Sequence, residues 1–422
     1  MLNHFFNPSS LAVIGASREP GKVGYEILRN VLTSGYRGEV YPINPNATEI
    51  QGIKCYRSVL DVPGQIDLGI VTLPANLVSR IASEAAEKGL RGLVIISAGF
   101  KEAGGDGAKL EREVVDICRK AGIRVLGPNC LGFIDTATPL NASFAPNMPR
   151  KGNIAFVSQS GALGTGILDW AVTERIGFSK FVSLGNKADL NECDILDALA
   201  GEEETKVILL YIEGITDGER FLKTAGSVTR KKPVIVLKSG VSAAGARAAS
   251  SHTGAMAGSD LVFNVAFEHT GVIRVSTAQE LFDLAEAFST QPIPAGPNVA
   301  IVTNAGGPGI LATDSCEKYN LRVASVKPET VEKLRSGLPP ASGFFNPIDI
   351  LGDAPPSRYK FAVETMLESQ EVDSLLVILT PQAMTQPVET ARVVIEVAAR
   401  FKNKPVVASF IGGDSTREAV SI

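Results

Sequence analysis

Leu11-Ala12-Val13-Ile14-Gly15-Ala16-Ser17-Arg18-Glu19-Pro20-Gly21-Lys22-Val23-Gly24 is the stretch on which the fold turns. Four apolar residues make a short buried strand, and the glycines behind them make a tight turn that opens a helix. Such a turn exposes backbone N–H groups at the positive end of a helix dipole, where a phosphate can sit. The same grammar repeats outward from it. Glu39-Val40-Tyr41-Pro42-Ile43, Leu68-Gly69-Ile70-Val71, Leu93-Val94-Ile95-Ile96 and Arg124-Val125-Leu126 read as further strands, separated by amphipathic segments such as 75–88. Strands alternating with helices predict a parallel, doubly wound α/β sheet with ligands gathered at the carboxyl ends of its strands.

The pattern restarts after Pro146-Asn147-Met148-Pro149-Arg150-Lys151-Gly152, with strands at 154–157, 180–182, 207–211 and 234–237. It restarts again after the linker Gln291-Pro292-Ile293-Pro294-Ala295-Gly296-Pro297, with strands at 299–302, 375–379 and 405–409. Three α/β domains are expected, at 1–147, 148–290 and 291–422. The last ends soon after a strand, which predicts that the natural chain continues.

Composition narrows the function. The 422 residues suit two to four domains. With 45% hydrophobic and 20% charged residues the chain is an ordinary globular one, neither disordered nor fibrous. A net charge of −4 removes the simplest electrostatic reason to bind nucleic acid or an anionic membrane. No apolar run reaches the ~18 residues of a membrane helix, and the start lacks a basic stretch followed by an apolar one, so a cytoplasmic protein is expected. Cys55, Cys118, Cys130, Cys193 and Cys316 are widely spaced and odd in number, against both disulfides and a zinc site. Three histidines offer no metal cluster, and no bound metal is expected on this chain.

The turn after residue 14 departs from a dinucleotide fingerprint, which wants glycine where Ser17 stands and an acid where Asn44 stands. A plain strand-to-helix turn without ligand is the bland alternative. Against it, every strand of the first domain ends in small or polar residues: Asn44-Pro45-Asn46, Thr72-Leu73-Pro74, Ser97-Ala98-Gly99-Phe100 and Gly127-Pro128-Asn129-Cys130. That edge suits an extended phosphate-bearing nucleotide, with Arg18 or Lys22 offsetting its charge.

In the second domain Ser158-Gln159-Ser160-Gly161-Ala162-Leu163-Gly164 is another helix start suited to an anion. It is a poor nucleophile elbow, because Ser158 and Ala162 stand where glycines are required. Ser250-Ser251-His252-Thr253-Gly254-Ala255-Met256-Ala257-Gly258 surrounds a histidine with small and hydroxylated residues. A neutral imidazole there can take a phosphoryl group from an acyl phosphate. It needs a carboxylate to orient it; Glu213 is either that acid or a solvated loop residue. Thr303-Asn304-Ala305-Gly306-Gly307-Pro308-Gly309 opens the third domain as either a turn or a further anion-binding helix end.

Taken together and in order, these motifs resemble the NDP-forming acyl-CoA synthetases, in particular the α subunit of ADP-forming acetyl-CoA synthetase, a relative of the succinyl-CoA synthetase α subunit. The resemblance spans essentially the whole chain and includes Tyr211-Ile212-Glu213-Gly214. It implies a Rossmann-like CoA-binding domain followed by two flavodoxin-like, succinyl-CoA synthetase-like domains. It implies coenzyme A at Gly15, Ala16, Ser17, Arg18, Lys22, Asn44, Leu73, Pro74, Ser97, Ala98, Gly99 and Asn129. It also implies phosphorylation of His252 with Glu213 as the stabilising acid, and phosphate contacts at Ser160, Gly161, Ala162, Ser251, Thr253, Gly306 and Gly307. The activity implied interconverts acyl-CoA, ADP and phosphate with acid, ATP and CoA. ADP/ATP and Mg then belong to an ATP-grasp β subunit or a continuation of this chain, and a hetero- or homo-oligomer is expected. Three other classes remain open: a CoA-binding regulatory part of a GNAT-type acetyltransferase fusion, an NAD-dependent oxidoreductase, and a purely structural CoA-binding scaffold, which would leave Glu213 and His252 without a task.

Overall fold

The computed structural model describes residues 2–242, 244–245, 247 and 259–422. The chain divides into two compact units, Met1–Ser289 and Thr290–Ile422.

In the first unit, β1 (Ser10–Ile14), β2 (Glu39–Ile43), the hairpin pair β3 (Glu49–Ile50) and β4 (Ile53–Lys54), β5 (Leu68–Val71), β6 (Gly92–Ile95) and β7 (Arg124–Leu126) come first. β1, β2, β5, β6 and β7 form a parallel sheet in the order β2-β1-β5-β6-β7. β1, β5 and β6 are buried at every position, as strands covered by helices on both faces must be. Helices Val23–Thr33, Ala75–Lys88 and Gly105–Lys120 make the crossovers. Strand order reverses between β1 and β5, so the crevice for a ligand lies at their carboxyl ends.

A second sheet follows from β8 (Gly132–Asp135), β9 (Leu140–Ser143), β10 (Lys151–Ser158), β11 (Phe178–Ser183), β12 (Val207–Ile212), β13 (Val234–Lys238) and β14 (Ile273–Val275), in the order β14-β13-β12-β10-β11-β8-β9. Its five parallel strands repeat the first sheet's winding, and the order reverses between β10 and β12. β8 and β9 extend it antiparallel from β11. Residues 132–143, which the sequence reading assigns to the first domain, therefore belong to the second sheet. The side chains explain this. Lys180 of β11 faces its cross-strand partner Asp135 of β8 at 2.6 Å and also pairs with Glu202, so a lysine only 4% exposed is neutralised by the hairpin.

The second unit repeats the winding once more. β15 (Asn298–Thr303), β16 (Arg322–Val323), β17 (Ile348–Asp349), β18 (Ser374–Leu379) and β19 (Val406–Phe410) form a parallel sheet with β16 and β17 on one side of β15 and β18, then β19, on the other. Its core closes around Tyr359, Val363, Val377 and Leu379. No helix among the described residues is long and apolar enough to cross a membrane.

Candidate functional site

The carboxyl end of β1 is built for close approach. Gly15 has φ +95°, and Gly24, in the first turn of the following helix, lies so near that a Cβ there would stand 2.1 Å from Gly15 O. The Thr72 hydroxyl at the end of β5 donates to Ile14 O at 3.2 Å and Gly15 O at 3.1 Å, tying the two strands across the reversal. Ala16 is buried, whereas Arg18 and Lys22 are exposed and Lys22 lies 3.9 Å from Glu19. Two polar residues that resist a nicotinamide reading have local tasks. Ser17 Oγ accepts from Glu19 N at 3.0 Å, and Asn44 Nδ2 donates to Ala16 O at 2.8 Å while its Oδ1 accepts from Asn46 N. Asn44 thus clamps the end of β2 onto the turn.

Leu73 and Pro74 lead from β5 into the helix Ala75–Lys88. Ser97 Oγ donates to Leu73 O, Ala98 and Gly99 are exposed at the end of β6, and Asn129, with φ +56°, follows β7. Gly15 to Asn129 thus line one edge of one sheet: an open, glycine-lined shelf with two exposed cations beside it. Backbone groups and small side chains, rather than a deep apolar pocket, would hold an extended nucleotide here.

At the reversal of the second sheet the decisive residue is Gln159. Its Oε1 accepts from Glu213 N at 2.8 Å and Gly214 N at 3.1 Å, and its Nε2 donates to Gly214 O at 2.9 Å. One amide side chain thereby fixes the peptide at the end of β12 that presents Glu213. Beneath it Lys187 Nζ donates to Gly214 O at 2.7 Å and pairs at 3.1 Å with Glu192, which is 2% exposed. Lys238 Nζ donates to Glu213 O at 2.9 Å from the end of β13 and lies over the Phe263 ring. Burial lowers the Lys238 ammonium below its usual value.

Ser160 caps the helix Gly161–Thr173, its Oγ accepting from Leu163 N at 3.3 Å, so the helix N-terminus begins beside the Glu213 loop. Gly164 leaves no room for more, since a Cβ would meet the Phe181 ring at 2.5 Å. Ser251, His252 and Thr253 lie outside the described residues.

The second unit carries a copy of this turn. Ser158 Oγ accepts from Ser160 N and donates to Ser160 O; Thr303 Oγ1 does the same with Ala305 at 3.0 and 2.9 Å. Asn304, like Gln159, bridges to the strand across the reversal: its Oδ1 accepts from Thr380 N at 2.8 Å and its Nδ2 donates to Thr380 O at 2.9 Å. Gly306 and Gly307, both exposed, then open the helix Gly306–Lys318.

Sequence reasoning missed Lys187, Glu192 and the clamping role of Gln159. The signal for Lys187 was available in Leu184-Gly185-Asn186-Lys187, a glycine-polar loop at the end of β11 of the kind recognised after the strands of the first domain. Among the described residues no group of His, Cys, Asp or Glu could hold a metal ion.

Three family descriptions cover nearly the whole chain: a CoA binding domain over residues 9–136, a succinyl-CoA ligase like flavodoxin domain over 151–288, and a ligase-CoA domain over 299–422. The α subunit of an ADP-forming acetate–CoA ligase II from Pyrococcus furiosus is 47% identical over 99% of this chain and 92% of its own length. An ADP-forming acetate–CoA ligase from Methanocaldococcus jannaschii is 48% identical over the full chain, which spans 59% of that longer relative. Among solved structures, an acetyl-coenzyme A synthetase from Ca. Korarchaeum cryptofilum, in complex with phosphate and ADP, superposes with a TM-score of 0.96 at 40% identity. The match covers 100% of this chain and 91% of the other. The sheets are accordingly those of a Rossmann-like CoA-binding domain and of succinyl-CoA ligase-like flavodoxin domains, and the chain belongs to the ADP-forming acetate–CoA ligase family, as an α subunit or α-like part.

Proposed function

We propose that this chain binds coenzyme A along the carboxyl edge of its first sheet and carries a phosphoryl group on His252, within an ADP-forming acyl-CoA synthetase acting on a small carboxylic acid such as acetate. The observation that supports it most is the pair of sheet reversals in one unit. One offers a glycine-lined shelf from Gly15 to Asn129, and the other presents Glu213 beside a capped helix N-terminus. Domain limits at 1–147, 148–290 and 291–422 are proposed on sequence, with the hairpin 132–143 packed onto the second domain's sheet.

Three balanced transfers make the cycle. A phosphate oxygen attacks the thioester carbonyl of acyl-CoA; the C–S bond breaks, and CoA leaves as a thiolate that takes up a proton. The resulting acyl phosphate is attacked at phosphorus by the His252 imidazole; the P–O bond breaks, and the carboxylate leaves. A terminal oxygen of ADP attacks the phosphohistidine at phosphorus; the P–N bond breaks, and the neutral His252 imidazole is restored as the leaving group. Glu213 accepts the hydrogen bond of the other ring nitrogen and stabilises the cationic imidazole. The N–H groups at Gly161 and Ala162 serve as phosphate donors, together with Ser160, Ser251 and Thr253, and the helix start at Gly306 and Gly307 is a phosphate-binding helix end of the second unit. Nucleotide and Mg belong to an ATP-grasp subunit or domain, with which the chain works as an oligomer in the cytoplasm.

The test separates chemistry from binding. His252→Ala abolishes acyl-CoA synthesis with the ATP-grasp partner while CoA affinity, measured by titration calorimetry, stays within about twofold. Glu213→Gln lowers turnover by about 10²-fold or more, the scale of general acid–base groups. NAD binding in place of CoA would overturn the assignment.

A further inference from the structure

The turn after β11 joins the carboxyl edge of the first sheet, at the loops after β6 and β7, to the reversal of the second sheet. Gly185 and Lys187 are left-handed, with φ +57° and +56°, and a Cβ on Gly185 would lie 2.2 Å from Pro128 O. The turn is therefore pressed onto the carboxyl end of β7, where Asn186 N donates to Pro128 O at 2.9 Å and Ala188 N to Gly127 O at 3.1 Å. With the backbone fixed, the two side chains between diverge. Asn186 Nδ2 donates to Glu102 Oε2 at 2.5 Å and to Glu111 Oε2 at 2.8 Å, and Glu102 Oε1 in turn accepts from Gly99 N at 2.6 Å and Phe100 N at 3.2 Å. Lys187 instead goes to Glu192 and Gly214 O, and Glu192 Oε2 also accepts from Gln159 Nε2 at 3.3 Å. A continuous polar chain thus runs from the loop at Gly99 through Glu102, Asn186, Lys187 and Gly214 to Glu213.

We propose that Gly185-Asn186-Lys187 is a positioning element that holds the Ser97–Phe100 loop and the Glu213–Gly214 loop in one frame. It rests on the functional reading above, in which the first loop contacts CoA and the second serves the phosphoryl group. Asn186 acts on the CoA side through Glu102. It is the neutral donor whose two amide hydrogens satisfy two neighbouring carboxylates; without it Glu102 Oε2 loses that donor and faces Glu111 Oε2, which keeps the bond from Lys101 N at 3.3 Å. Lys187 acts on the acid side. It neutralises a carboxylate taken almost wholly out of water and holds the carbonyl next to Glu213. Neither side chain needs to touch substrate. The division of labour between adjacent residues is what distinguishes positioning from general support of the fold, which would affect both loops together.

The experiment uses the full chain with its ATP-grasp partner, read in two ways: CoA affinity by calorimetry, and the rate of acid-labile phosphorylation with acetyl phosphate as donor. Asn186→Ala weakens CoA about tenfold or more, the scale of hydrogen bonds to a charged group, and leaves the phosphorylation rate within about twofold. For Lys187 the double variant Lys187→Met/Glu192→Gln removes both buried charges at once, so that folding is preserved. It slows phosphorylation about tenfold or more and leaves CoA affinity within about twofold. Parallel losses in both readouts for both variants, or no change in either, would overturn the proposal. A wild-type protein that neither binds CoA nor accepts phosphate would instead overturn the functional reading on which it rests.

Discussion

Gly24→Ala is the sharpest probe of the first sheet's reversal. Gly24 lies inside the helix Val23–Thr33, where alanine is ordinarily the better residue. The added methyl would stand 2.1 Å from Gly15 O and 3.0 Å from Thr72 Oγ1. A carbon-to-oxygen contact needs about 3.3 Å, so helix and turn must part by roughly 1 Å. Overpacking of this kind costs about 1–3 kcal/mol. At about 2–4 °C per kcal/mol for a unit of this size, the melting temperature falls by several degrees. The same movement pulls the Gly15–Ser17 backbone away from the CoA proposed to lie there, and on that reading losing one charge-assisted hydrogen bond weakens CoA about tenfold or more. Gly21→Ala is the control, because nothing lies within 4 Å of its Cβ although its φ is +82°. It carries backbone strain of about 1–2 kcal/mol without crowding the turn. Differential scanning calorimetry and CoA titration should therefore show both variants destabilised, with Gly24→Ala much the weaker CoA binder. Wild-type affinity in Gly24→Ala, or a larger affinity loss in Gly21→Ala, would refute the close-approach argument.

Two further outcomes are expected. Burial acts to raise the Glu102 carboxyl, but the hydrogen bonds from Asn186, Gly99 N and Phe100 N outweigh it and hold it below its usual 4.5. A depressed folded value means the contribution is present above pH 4.5 and is lost as pH falls through the folded value; Glu102→Gln should flatten this part of the acid-unfolding curve, and an unchanged curve would contradict the assignment. In the second unit Tyr359 is fully buried and its hydroxyl donates to Ile378 O at 3.1 Å, so Tyr359→Phe should cost about 1 kcal/mol in urea unfolding, a loss that would be absent if the bond contributed nothing.

Strands buried on both faces were legible because a parallel sheet writes them as continuous apolar runs, as in β1, β5, β10, β12 and β18; β2 and β19, which are partly exposed, were also read from their β-branched and aromatic residues. The helix Ala75–Lys88 was equally plain from its periodicity. Strand order was not legible, since nothing local in Ile14 or Val71 says that they are neighbours. The hairpin β8–β9 escaped because its second strand, Leu140-Asn141-Ala142-Ser143, is short and half polar. Its placement is fixed by the buried Lys180–Asp135 pair, whose members are 45 residues apart in sequence. The shelf after β1 was legible because glycine and small residues are needed wherever a backbone must approach closely. The clamp of Gln159 on Glu213 and the turn at Asn186 were not, because amide side chains announce no geometry until the strands beside them are ordered. The twin turns at Ser158 and Thr303 show the same limit. Their residues differ, yet a hydroxyl, an amide and a helix-opening glycine recur at matching positions.

The central claim, that the chain passes a phosphoryl group between an acyl phosphate and a nucleotide while holding CoA, is met most directly by one measurement. The chain is incubated with its ATP-grasp partner and Mg-ATP, and peptide mass analysis follows acid-labile phosphate before and after addition of acetate and CoA. The account predicts a phosphoryl group on His252 that disappears on addition, with acetyl-CoA formed in matching amount. Absence of phosphate from His252 in a complex that still binds CoA would contradict it.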